Sequence, residues 1–140
     1  MWLFFALLSA ITAAAVAIFA KLGLNNIDTV LATTIRSIIM AVFLACTSLL
    51  FGKFRGFDFH SLSGREWTLI ILAGVSGALS WLFYFIALKL GVATKVATID
   101  RLSLVFVIIL ASLFLGEALT WKTVLGSLIM VSGALIITLK

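Results

Sequence analysis

Five apolar stretches dominate this sequence, at about 2–21, 29–52, 65–90, 92–115 and 120–139. A helix rising 1.5 Å per residue needs about 20 residues to cross a hydrocarbon layer about 30 Å thick. All five stretches meet that length. None shows the alternation of a barrel strand, and in lipid only helices and closed barrels satisfy their own backbone. The expected fold class is an all-α membrane protein, a bundle of five transmembrane helices forming a single domain over 1–140. Composition agrees: 64% of residues are hydrophobic and 11% charged, against about 45–50% and about 25% in soluble domains. A soluble domain of 140 residues cannot bury that share of apolar surface, whereas a bilayer covers it. The first stretch has no Lys or Arg ahead of its apolar run, unlike a secretory signal, and reads as a span.

Several function classes are disfavoured at once. The net charge of +5 comes from ten basic residues scattered at segment ends. Such a distribution fits headgroup contact, not a nucleic-acid face. Cys46 and His60 are single, so no disulfide, metal centre or cofactor site is expected. No paired carboxylates or nucleophile constellation points to an enzyme.

Short-range signals mark the helix ends. Gly23, Asn25 and Asn26 end the first helix, and Asp28 caps the second. Ser63 with Glu66 forms a capping box for the third. Gly91 fits a left-handed position after the third, Gly116 stops the fourth, and Thr120 caps the fifth, with Glu117 close to that helix start. The segment from Lys53 to Gly64 mixes Phe54, Phe57 and Phe59 with Lys53, Arg55 and His60, as interfacial loops do. Small residues at four- or seven-residue spacing let helices approach closely in lipid. Gly74 and Gly77 on the third helix, and Gly126 and Gly133 on the fifth, are the packing candidates, within the chain or between chains. With no proline in the chain, mostly continuous helices are expected.

Arg36, Asp100 and Arg101 lie inside spans, where a central charge costs roughly 2.5–3.5 kcal/mol on insertion scales. Arg36 is eight residues past Asp28 and Asp100 eight past Val92, each about 12 Å along its helix. Similar depth makes Asp100 the expected partner of Arg36 across the bundle. Asp100 and Arg101 point about 100° apart. Three readings stay open for these groups: an ion pair that fixes packing, handling of substrate or protons, or snorkelling to the headgroups. On the third helix Gly77, Ser80, Trp81 and Tyr84 share a face that suits either a cavity wall or interhelical packing. The candidate substrate path is Arg36, Ser80, Trp81, Tyr84, Asp100 and Arg101.

Orientation is balanced. Lys53, Arg55, Arg65 and Lys122 lie on one side, and Lys21, Lys89, Lys95 and Lys140 on the other, four against four. The positive-inside rule then sets no direction. Two oppositely oriented copies would supply an inverted pair of repeats, as an antiparallel homodimer.

The run 87–140 resembles the EamA half of the drug/metabolite transporter superfamily. The matching pieces are Ala87-Leu88-Lys89, Ile99-Asp100-Arg101-Leu102-Ser103, Phe114-Leu115-Gly116-Glu117, Gly126 and Gly133. Phe19-Ala20-Lys21-Leu22-Gly23 and Ile35-Arg36 fit as well, so the resemblance covers essentially the whole chain. It implies a stand-alone five-helix member, equivalent to one repeat of a ten-helix transporter. It implies a small-molecule substrate, a metabolite or drug, carried across a cell (inner or plasma) membrane. The family often has a proline near Thr98, absent here. The rival expectation is a non-transporting accessory or assembly subunit of another membrane protein.

Overall fold

The computed structural model describes residues 1–24, 26–55 and 62–139. Asn25, the stretch 56–61 with Phe57, Phe59 and His60, and Lys140 lie outside the described residues. Among the described residues there is no strand. The elements are α1 (Trp2–Gly23), α2 (Thr29–Leu50), α3 (Gly64–Leu90), α4 (Ala93–Asp100), α5 (Ser103–Leu110), a π-helical turn (Ala111–Leu115) and α6 (Trp121–Thr138). α4, α5 and the π turn together make the fourth span, Ala93–Leu115, so among the described residues five helical spans are long and apolar enough to cross a membrane. At most 6% of the most apolar window of any span is buried. In water that would be untenable; in lipid it is the expected state of a span's outer surface.

Local chemistry explains where the helices begin and end. The Asp28 carboxylate accepts from the amides of Val30 and Leu31 at 2.9 and 3.1 Å, filling donors that α2 cannot fill itself. Ser63 and Glu66 make the reciprocal box at the start of α3. The Ser63 amide donates to the Glu66 carboxylate at 2.7 Å, and the Glu66 amide to the Ser63 hydroxyl at 3.3 Å. Thr120 accepts from the Thr123 amide at 3.2 Å and opens α6. That duty is Thr120's; Glu117 sits three residues earlier, and its amide donates to the Ala111 carbonyl.

Two glycines close helices in left-handed conformation. α2 ends at Gly52, φ +63°, with Gly52 donating to Leu49 and Lys53 to Ser48, both at 2.9 Å. This is the double bond of a Schellman motif. Gly116, φ +68°, ends the π turn in the same conformation, with its own amide and that of Glu117 both donating to the Ala111 carbonyl. Gly91 is not among the left-handed glycines. The chain turns there through Val92, whose extended backbone (φ −75°, ψ 130°) leads into α4. Gly52→Ala and Gly116→Ala are each expected to lower stability by about 1–2 kcal/mol from backbone strain alone. An added Cβ meets nothing closer than 3.7 Å at either position. Gly23→Ala, with ordinary backbone and open space, should cost much less. Denaturant titration in detergent followed by circular dichroism checks the contrast, and equal losses at all three would refute it.

The chain divides into two compact units, Met1–Phe19 with Leu90–Lys140, and Ala20–Lys89. In the first, α4 and α5 pack on α6, and the buried apolar residues are alanines: Ala17, Ala111 and Ala134. Methyl side chains let helix backbones come close. The Lys95 ammonium donates to the Thr138 carbonyl at 2.9 Å, closing the C-terminal end of α6. In the second unit the buried residues are larger: Leu24, Thr33, Phe85 and Leu88. Here Lys21 donates to the Leu88 carbonyl at 2.6 Å, and Lys89 to the Ile27 carbonyl at 2.9 Å. These three lysines therefore serve backbone carbonyls, two of them at helix C-termini where a cation is favoured. Within their own units, Gly74, Gly77, Gly126 and Gly133 have no neighbour within 4 Å of an added Cβ, so the close approaches fall on alanines.

The fourth span departs from the continuous helix expected of it. At 100–102 the backbone passes from i−4 to i−3 bonding. The Leu102 amide donates to Ile99, Leu104 to Arg101, and Val105 to Leu102, at 2.9, 3.2 and 2.9 Å. Arg101 and Leu102 carry ψ of −15° and −14°, values of a 3₁₀ turn. No proline or glycine is needed for this. The tighter bonding itself separates α4 from α5.

Candidate functional site

α2 carries an unusual polar run for a span: Thr33, Thr34, Arg36 and Ser37. The three hydroxyls are satisfied by their own helix. Thr33 donates to Thr29, Thr34 to Val30 and Ser37 to Thr33, at 2.7, 2.8 and 2.8 Å. That back-bonding hides their polarity. Arg36 is the residue whose charge cannot be hidden this way.

Its guanidinium lies over the Trp81 ring on α3, with the central carbon 3.7 Å from the ring centroid, and 5.5 Å from the Phe85 centroid. Trp81 is itself held edge-on by Tyr84 and Phe85, with centroids 5.7 and 5.9 Å away and ring planes at 89° and 90°. Edge-to-face contacts fix the indole plane. The fixed face then presents its negative quadrupole to the cation. Such a contact is worth about 2 kcal/mol or more when desolvated, against roughly 2.5–3.5 kcal/mol to place an arginine mid-helix. The rings thus offset part of the burial cost and do not use the N–H edge.

An open groove of 360 Å³ runs between α2 and α3, lined by Val30, Thr33, Thr34 and Ser37 on one side and Val75, Ala78, Leu79 and Leu82 on the other. Ser37 follows Arg36 and Leu82 follows Trp81 by one residue, about 100° round each helix. Groove and cation therefore occupy different flanks of the pair. With its hydroxyls bonded inward, the groove offers an apolar wall.

In the other unit, Asp100 and Arg101 flank the break in the fourth span, and both are exposed. Because the Leu102 amide turns to Ile99, the Thr98 carbonyl loses its i+4 donor; the Asp100 carbonyl loses Leu104 likewise. Two backbone oxygens are thus left without their helical donors within two residues of each other in a membrane span. Carbonyls without a helical donor inside a span are tolerated where water, a ligand or neighbouring protein meets them.

Of the sequence candidates in the second unit, the structure brings Arg36, Trp81 and Tyr84 together, and Ser80 stands exposed beside them on α3. Sequence reasoning missed Phe85, although it follows Trp81 by four residues and so shares its face. It also missed the aromatic seat itself. A carboxylate, Asp100, is the partner that depth alone points to, whereas the contact made within this unit is with rings.

Comparison with known proteins places these features. EamA-like transporter family is the description of the family that matches, over residues 1–139. A curated relative from Sinorhizobium sp., named "Uncharacterized transporter in cobO 3'region", is 41% identical over 136 residues, covering 97% of this chain and 95% of its own. No solved structure matches the chain. Five apolar helical spans, charged groups within two of them and a family match over nearly every residue lead to one conclusion: the chain is a multi-pass membrane protein that belongs to the EamA-like transporter family.

Proposed function

We propose that the protein is a carrier that moves a small organic solute across a cell (inner or plasma) membrane by alternating access, working as an antiparallel homodimer. The observation that supports this most is the break at 100–102, with carbonyl oxygens and ionisable side chains in mid-span. Discontinuous helices of this kind form the solute and ion sites of many secondary transporters. Five spans amount to one repeat, and the balanced basic residues leave either insertion direction open. A second, inverted copy then completes the pair of repeats that such carriers use. The residues assigned to the path are Arg36, Ser80, Trp81 and Tyr84 in one unit and Asp100 and Arg101 in the other. The open faces at Gly74, Gly77, Gly126 and Gly133 are assigned to contact between the two copies.

Purified protein in liposomes is expected to give saturable uptake of at least one solute from a panel of organic anions, cations and neutral compounds, with and without a pH gradient. A terminal tag in the same vesicles should be accessible from both faces. No uptake by folded protein under any gradient removes the carrier reading, and labelling from one face alone removes the antiparallel arrangement.

A further inference from the structure

Arg36 holds a full positive charge and five N–H donors. None of the described groups of its own unit accepts a hydrogen bond from it. The described carboxylates of that unit are committed elsewhere: Asp28 to the α2 amides and Glu66 to Ser63. Asp28 lies about 12 Å back along α2, and Glu66 about 22 Å from Trp81 along α3, by helical rise. The aromatic rings hold the cation from its face, and a face contact does not use the in-plane donors. Arg36 is only half-buried, and no described group of its own unit takes that edge. A planar fork of donors fits a carboxylate or phosphate with two parallel bonds, and repels an amine.

We propose that Arg36 is the recognition point for the anionic group, carboxylate or phosphate, of a small organic solute. Trp81 and Phe85 fix the guanidinium, and Tyr84 braces Trp81 from its edge. The assignment rests on the carrier reading above and narrows it to organic anions. It makes a fixed charge, which no described carboxylate of its own unit neutralises, the element that selects the solute: cations are rejected by repulsion, and neutral isosteres leave the donors unfilled.

The test uses the full chain in neutral maltoside micelles, in a background where Trp2, Trp67 and Trp121 are phenylalanine. Trp81 then reports alone. Benzoate and phenyl phosphate are titrated against benzamide and benzylamine, following Trp81 emission and melting temperature. Both anions are expected to change the emission and raise the melting temperature, and the amide and the amine to do neither. Arg36→Gln should weaken anion binding about tenfold or more. Arg36→Lys, which keeps charge and loses the fork, should fall between, so an unstable glutamine variant does not leave the question open. Equal binding of benzamide, an unchanged anion preference in Arg36→Gln, or no binding of either anion below about 10 mM overturns the proposal. So does a response confined to added phosphatidylglycerol, which would make the site a lipid-headgroup seat. Anion binding without uptake in liposomes would instead overturn the carrier reading alone. Uptake of a cation or neutral solute unaffected by Arg36→Gln would overturn this assignment and leave the carrier standing.

Discussion

Lys21→Met is expected to lower the free energy of unfolding in detergent by about 2 kcal/mol. The Lys21 ammonium donates to the Leu88 carbonyl over 2.6 Å. Leu88 is fully buried and stands in the last turn of α3, where carbonyls lack helical donors. A charged donor at that end also meets the negative pole of the helix. Methionine keeps an apolar stem of similar length, so the loss is that of the ammonium's polar contacts, the Leu88 bond among them, and not of packing. Lys89→Met is the matched control. Its bond to the Ile27 carbonyl is longer, at 2.9 Å, and exposed, so less than about 1 kcal/mol should be lost. Denaturant titration of the two variants side by side decides the matter. Equal losses would show that burial adds nothing to the Lys21 bond, and no loss from Lys21→Met that the bond adds nothing beyond solvation.

The second large effect concerns the fourth span. Asp100→Leu should leave the protein folded and reduce solute uptake by about tenfold or more, the equivalent of one lost charged hydrogen bond. Leucine has higher helix propensity than aspartate and no competing carboxylate, so it favours i−4 bonding through 100–102. The variant removes the ionisable oxygen and biases the ladder towards closure. Asp100→Asn separates the two, since it keeps the polar side chain and removes the charge. Uptake that is unchanged in Asp100→Leu, in protein shown to be folded, would mean that the break takes no part in transport.

Much of this architecture is legible from residues near one another in sequence. Span lengths follow from runs of apolar residues. The caps at Asp28, at Ser63 with Glu66, and at Thr120 involve partners within three residues. What escapes is set by distance or by subtle geometry. Lys21 and Leu88 are 67 positions apart, so nothing local distinguishes that lysine from one that meets headgroups. The seat of Arg36 needs α3 laid beside α2, and arguing from charge alone points to a carboxylate and not to rings. Gly91 has the composition of a left-handed stop, yet the turn is made through Val92. The break at 100–102 carries neither of the usual signals, Pro or Gly, because a shift from i−4 to i−3 bonding needs only a small change of ψ.

That small change has a consequence. A proline kink lacks an N–H permanently, so its helix cannot close again. Here every residue of the joint keeps its amide. Rotating ψ of Arg101 and Leu102 by about 30° would return them to ordinary helical values and let Thr98 and Asp100 recover their donors. A small backbone rotation would thus make the fourth span one continuous helix, which a proline at the same place would forbid.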